Sequence, residues 1–198
     1  MKYSYLALGD SYTIGEQLLP EENFPNQTVS LLQDSLSPAK IIATTGWTTD
    51  ELDAGIDAAA ITSKYDIVSL LIGVNNQYRG RSISNFKIEF DHLLQRAIQF
   101  ADNKTSHVFV VSIPDWGVTP FAEGRDRKQI AAEIDAYNKV CEDAAKQFKT
   151  PFIDITASQR VDGNKEEFLA ADKLHPSGKE YAKWAAKLAA LIKKEFSL

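Results

Sequence analysis

Hydrophobic and polar positions follow two rhythms along this chain, and the rhythms take turns. Short apolar runs bounded by turn residues read as strands buried on both faces. Apolar residues three and four apart read as helices with one buried side. Residues 3–8 form the first run and predict strand one. A polar loop over residues 16–25 leads into a helix over 26–36, with Val29, Leu32 and Leu36 on one side and Ser37-Pro38 as its stop. Residues 40–44 predict strand two. A helix over 50–60 follows, with Thr48 or Thr49 as its cap and Glu51 in its first turn. Residues 65–72 form the most apolar strand and are expected at the centre of the sheet. A helix over 84–102 carries Phe86, Phe90, Leu93, Leu94, Ala97 and Ile98 at helical spacing. Strand four is expected over 107–113, a long helix over 126–149, strand five over 152–155, and a last helix over 177–196 with Pro176 near its first turn.

Strand and helix alternate throughout, which predicts an α/β protein with a five-stranded parallel sheet, helices on both faces and right-handed crossovers. No repeat, low-complexity segment or linker divides the 198 residues, so residues 1–198 are expected to form a single domain.

Composition narrows the class. Hydrophobic residues make up 44% of the chain, enough for a sizeable core. The formal net charge is -5 and no dense Lys/Arg cluster is present, which argues against a nucleic-acid partner. The single cysteine, Cys141, excludes an internal disulfide framework; its place among Ile134, Tyr137, Val140 and Ala144 marks it as a packed core thiol. Met1-Lys2 runs straight into the first strand and no apolar stretch nears transmembrane length. The expectation is a cytoplasmic protein without stable membrane insertion, or a periplasmic or secreted one whose leader has been removed. Three scattered histidines with no Cys/His cluster speak against a metal site, and no organic cofactor is expected.

Chemistry gathers at the strand ends. Gly9-Asp10-Ser11 follows strand one, Thr45-Gly46-Trp47 follows strand two, Gly73-Val74-Asn75-Asn76 follows strand three, and Asp172 and His175 lie in the loop after strand five. In a parallel sheet these ends share one edge, where ligands bind in open α/β folds. A serine hydroxyl needs a base to become a nucleophile, and His175 can supply one to Ser11. Asp172, three residues earlier, can accept from the imidazole Nδ1–H and fix its tautomer. The backbone N–H groups of Ser11 and Gly46 and the side-chain amide of Asn75 are candidate donors to an oxyanion.

These four blocks, in this order, resemble the SGNH (GDSL-type) hydrolase superfamily of serine esterases and lipases, over essentially the whole chain. The resemblance implies a flavodoxin-like three-layer α/β/α fold with strand order 2-1-3-4-5. It also implies Ser11 as nucleophile, His175 as base, Asp172 as orienter, and Ser11, Gly46 and Asn75 as the oxyanion hole. One position departs: the third block ordinarily ends in aspartate, and here it ends in Asn76.

Single residues have plainer readings. Asp10-Ser11 also suits a helix cap, Gly46 a turn with positive φ, and Asn75 a turn. His92 reads as a solvated helix residue and His107 as structural. Arg79 and Arg81 read as solvated arginines or as contacts to an anionic or hydroxyl-rich substrate. Tyr12, Trp47, Tyr78, Trp116 and Phe121 fall just beyond strand ends and either line a substrate groove or cover the sheet edge.

Taken together, the residues point to a serine esterase acting on a small-molecule ester, a short acyl group or an acetylated carbohydrate in preference to a lysophospholipid or thioester chain. A non-catalytic binding module on the same fold is the competing expectation.

Overall fold

The computed structural model describes residues 2–198. Five strands run β1 (Tyr5–Asp10), β2 (Lys40–Thr44), β3 (Ile67–Leu71), β4 (Val108–Val111) and β5 (Phe152–Ile153). They form one all-parallel sheet in the order β2-β1-β3-β4-β5. Eight α-helices are α1 (Ser11–Ile14), α2 (Phe24–Leu31), α3 (Thr49–Ala58), α4 (Val74–Tyr78), α5 (Ile83–Phe100), α6 (Arg127–Phe148), α7 (Thr156–Asp162) and α8 (Gly178–Phe196). Helices lie on both sides of the sheet: α2 packs on α8, while α5 packs against both α3 and α6.

The expected strands and long helices are present, with β3 central as its apolar run foretold. Every residue of β1 and β3 is buried, as a doubly covered strand requires. Phe86, Phe90, Leu93, Leu94 and Ala97 of α5 are fully buried, each phenylalanine and leucine contributing roughly 1.5–3 kcal/mol. Cys141 is buried in the core.

Strand one sits two residues later than expected. Tyr3 makes only an isolated bridge to Leu36, whereas Gly9 and Asp10 continue the ladder opposite Ala43 and Thr44 of β2. Pairing with two neighbours, and not side-chain polarity, decides where this strand stops. Ser11 therefore comes directly after the last paired residue. The second helix is shorter than expected and begins earlier. Asn23 caps it by accepting from the Asn26 N–H at 2.9 Å, and Pro25 occupies its first turn. Strand five ends at Ile153, two residues early. The short helices α1, α4 and α7 were not expected, because four to seven residues are too few for a periodic pattern.

Candidate active site

The cleft is built from the carboxyl ends of β1, β2 and β3, from the segment beyond β4 and from the loop before α8. Asp10 ends β1 and caps α1 through its Oδ1, which accepts from the Tyr12 N–H at 3.0 Å. The capping reading and the chemical reading of Asp10-Ser11 thus coincide in one turn. Gly9 allows that turn. A Cβ on it would lie 2.0 Å from Thr13 Oγ1 and 2.5 Å from the Leu71 carbonyl oxygen, so no larger residue lets α1 fold back this closely.

The loop carrying Asp172 and His175 is held from within. Asp172 Oδ1 accepts from the N–H groups of Leu174 and His175, each at 3.0 Å. The Ala170 N–H donates to the His175 carbonyl at 2.8 Å. This Asx-type turn explains why a three-residue spacing brings carboxylate and ring together. The other carboxylate oxygen, Oδ2, accepts from His175 Nδ1 at 2.6 Å. An ionised carboxylate only accepts, so the proton resides on Nδ1, and Nε2 receives the Ser11 hydroxyl at 3.0 Å. Burial works to raise the Asp172 carboxyl, but the hydrogen bonds from the ring and from two backbone N–H groups prevail and hold it below the ordinary aspartate range. Ser11 and His175 are both buried, at 4% and 6% exposure, and the Tyr12 ring lies 4.9 Å from the imidazole.

Gly46 adopts φ +84°, which its lack of a side chain permits, and its carbonyl accepts from Arg79 at 2.5 Å. The Asn75 amide donates to the Trp47 carbonyl at 3.0 Å and, at longer reach, to Asp10 Oδ2 at 3.4 Å. Asp10 is fully buried, and burial pushes its carboxyl up to about 7 against the hydrogen bonds from Tyr12 and Asn75. Asn76, the residue that departs from the family pattern, is buried. Its Oδ1 accepts from the Thr49 N–H at 3.1 Å and its amide donates to Thr49 Oγ1 at 2.7 Å. The Thr49 hydroxyl then donates to Glu89.

A cleft of about 190 Å³ opens over these groups. It brings together Ser11, Gly46, Asn75 and His175 with Tyr12, Tyr78, Trp116 and Phe121. Trp47 is placed differently from the expectation that grouped it with these aromatic residues. Its ring packs on Gly55 of α3, where a Cβ would sit 2.2 Å from it, and what it offers the cleft is its carbonyl. Arg79 and Arg81 pair with Glu51 and Asp50 at 3.1 and 2.6 Å. His92 is exposed beside Asp53, and His107 packs at a tilt against Phe196, 4.5 Å between centroids. Val74, Thr45 and Leu174 also line the cleft. Sequence patterning passed over them because each is an ordinary residue adjoining a motif.

Fold and cleft together define a doubly wound α/β protein with a hydroxyl, an imidazole and a carboxylate in line at the carboxyl edge of its sheet. The chain belongs to the GDSL-like lipase/acylhydrolase family, whose model matches residues 7–183. That is a family of ester-hydrolysing enzymes. No curated protein sequence matches it. Among solved structures, it resembles the psychrotrophic esterase EstA of Pseudoalteromonas sp. in a form inhibited by monoethylphosphonate, at 15% identity over 100% of both chains with a TM-score of 0.74. The lipase/acylhydrolase of Enterococcus faecalis is 21% identical, over 98% of this chain and 97% of that one, with a TM-score of 0.74. The acetylxylan esterase Axe2 of Geobacillus stearothermophilus is 20% identical, over 99% of this chain and 94% of that one, with a TM-score of 0.70. At these identities the likeness is one of fold.

Proposed function

We propose that residues 1–198 form a single serine esterase domain that hydrolyses esters of short acyl groups, acetylated carbohydrates among them, through an acyl-enzyme. The observation that carries this reading is the unbroken line from Ser11 Oγ to His175 Nε2 at 3.0 Å and from Nδ1 to Asp172 at 2.6 Å.

Ser11 Oγ attacks the ester carbonyl as its proton passes to Nε2. A C–O bond forms, and the carbonyl π electrons move to the oxygen. The N–H groups of Ser11 and Gly46 and the Asn75 amide are the donors assigned to that oxyanion, one of which is ordinarily worth about 3–4 kcal/mol of barrier. Collapse breaks the bond to the leaving alkoxide, which takes the proton from Nε2. A water then repeats the sequence on the acyl-enzyme, with His175 again as base, and releases the acid. Asp172 stays ionised and stabilises the imidazolium at each stage.

The size of the cleft supports a small acyl group. At about 190 Å³ it falls below the roughly 300–1,000 Å³ usual for ligand sites. Resemblance in fold to an acetylxylan esterase and to an esterase inhibited by a phosphonate is in keeping with this reading. A fluorophosphonate probe should label wild-type protein and leave Ser11→Ala unlabelled. The same variant should lose hydrolysis of p-nitrophenyl acetate while its circular dichroism is unchanged. Labelling or turnover retained in Ser11→Ala removes Ser11 as the nucleophile, and a wild-type protein that is never labelled favours a binding module.

A further inference from the structure

Trp116 lines the cleft beside Tyr78 and Phe121, and its hydrogen-bond partner lines a second space. Trp116 follows Asp115 in the loop beyond β4 and is 4% exposed. Three contacts hold its backbone in place. Asp115 Oδ1 accepts from the Gly117 N–H at 2.9 Å, Asp115 Oδ2 pairs with Arg160 at 2.8 Å, and the Thr119 hydroxyl donates to the Trp116 carbonyl at 2.7 Å. The ring is held at its polar end. Trp116 Nε1–H donates to Gln77 Oε1 at 2.7 Å, and the Gln77 amide donates to Glu133 of α6 at 2.6 Å. On its cleft side the indole meets Tyr78 at 5.3 Å and Phe121 at 6.1 Å, both edge to face.

Gln77 itself lines another cavity, of about 400 Å³, between α4 and α6, with Ile83, Ala132, Ala136 and Tyr137 among its walls. Trp116 therefore lines the small cleft over Ser11, while its partner Gln77 borders a separate space about twice as large. A hydrogen-bonded tryptophan cannot swing aside without leaving Gln77 Oε1 and its own N–H unpaired in a buried setting.

We infer that Trp116, locked by Gln77, is the residue that sets acyl-chain length, closing the cleft to all but short acyl groups. This rests on the esterase reading and goes further, since it names the side chain responsible for the limit. Removing the indole takes away the wall it forms in the cleft, so longer acyl groups gain room.

The test measures kcat/KM for p-nitrophenyl acetate, butyrate and octanoate in wild type, Trp116→Ala and Trp116→Phe, with fluorophosphonate labelling of each. Trp116→Ala should raise the octanoate-to-acetate ratio at least roughly tenfold, the scale on which one methylene is discriminated in an apolar pocket. Trp116→Phe keeps a ring but loses the bond to Gln77, and it should fall between the two. If Trp116→Ala does not fold, Trp116→Leu and Trp116→Phe carry the same comparison. A labelled wild type with an unmoved ratio in the folded variants overturns this inference and leaves the esterase reading standing. A wild type that is neither labelled nor active overturns both.

Discussion

Both protons of the Asn75 amide have partners before any substrate arrives: one is given to the Trp47 carbonyl, the other reaches toward Asp10. The bond to Trp47 fixes the plane of the amide, and the proton on the longer 3.4 Å contact to Asp10 is the one free to turn to an oxyanion as charge develops. Asn75→Ala should lower kcat by on the order of 10²–10³ and leave KM nearly unchanged; a loss confined to KM would take Asn75 out of that role. Its neighbour Asn76 shows why this chain does without the family's aspartate. The Asn76 amide donates to Thr49 Oγ1, which frees the Thr49 hydroxyl to donate to Glu89. In Asn76→Asp two carboxylates would compete for one hydroxyl proton in a buried site. Roughly 1–3 kcal/mol of stability should be lost in urea titrations, with much of it recovered by adding Glu89→Gln. Equal losses in the single and double variants would show that the two positions are not coupled.

At the scale of elements, the junction of β1 and α1 is the critical piece of construction. Ser11 lines the cleft because the strand stays paired through Asp10 and the helix begins at once. Gly9 makes the close return possible, and the groups in its way include a backbone carbonyl that no side-chain rotation can move. Gly9→Ala should cost about 1–3 kcal/mol in stability and slow fluorophosphonate labelling of Ser11, because α1 must shift to admit the methyl group. Wild-type labelling together with a wild-type urea midpoint would show that this junction tolerates displacement.

For the molecule as a whole, the buried carboxyl of Asp10 ties stability to pH. Its ordinary value is 3.8, and burial pushes it up to about 7 in the fold. Between those limits the folded chain binds a proton that the unfolded chain releases. Asp10 therefore makes stability fall as pH rises from about 4 to about 7, by on the order of 4 kcal/mol in the limit. Asp172 acts in the opposite sense. Its folded carboxyl lies below the ordinary range, so its stabilisation is complete above the ordinary aspartate value and is lost only on stronger acidification. Asp10→Asn should flatten the pH dependence of the urea midpoint between pH 4 and pH 7, read as a slope and not as an absolute stability. Parallel curves for variant and wild type would place the titrating group elsewhere.

Local pattern and order were legible in the chain itself. Continuous apolar runs located the five strands and period-3.6 stretches the long helices, because burial on one or both faces is written directly into residue type. The ordered blocks at Ser11, Gly46, Asn75 and Asp172/His175 were legible for a related reason: each follows an apolar run, and a parallel sheet has one edge where such ends meet. The end of β1 was not legible, since it depends on Ala43 and Thr44 pairing from another strand. Nor was the direction of Trp47, whose ring is claimed by Gly55 on a helix that sequence places nearby but cannot orient. Gln77 carried no signal at all. Its importance arises from Trp116 and Glu133, 39 and 56 residues away along the chain. Residue order alone thus specified the strands, the long helices and the residues able to do chemistry, because those follow from local periodicity and side-chain type. Only the tertiary structure decided the size of the cleft and the partners of its polar groups, because these depend on distances between residues that the chain order keeps far apart.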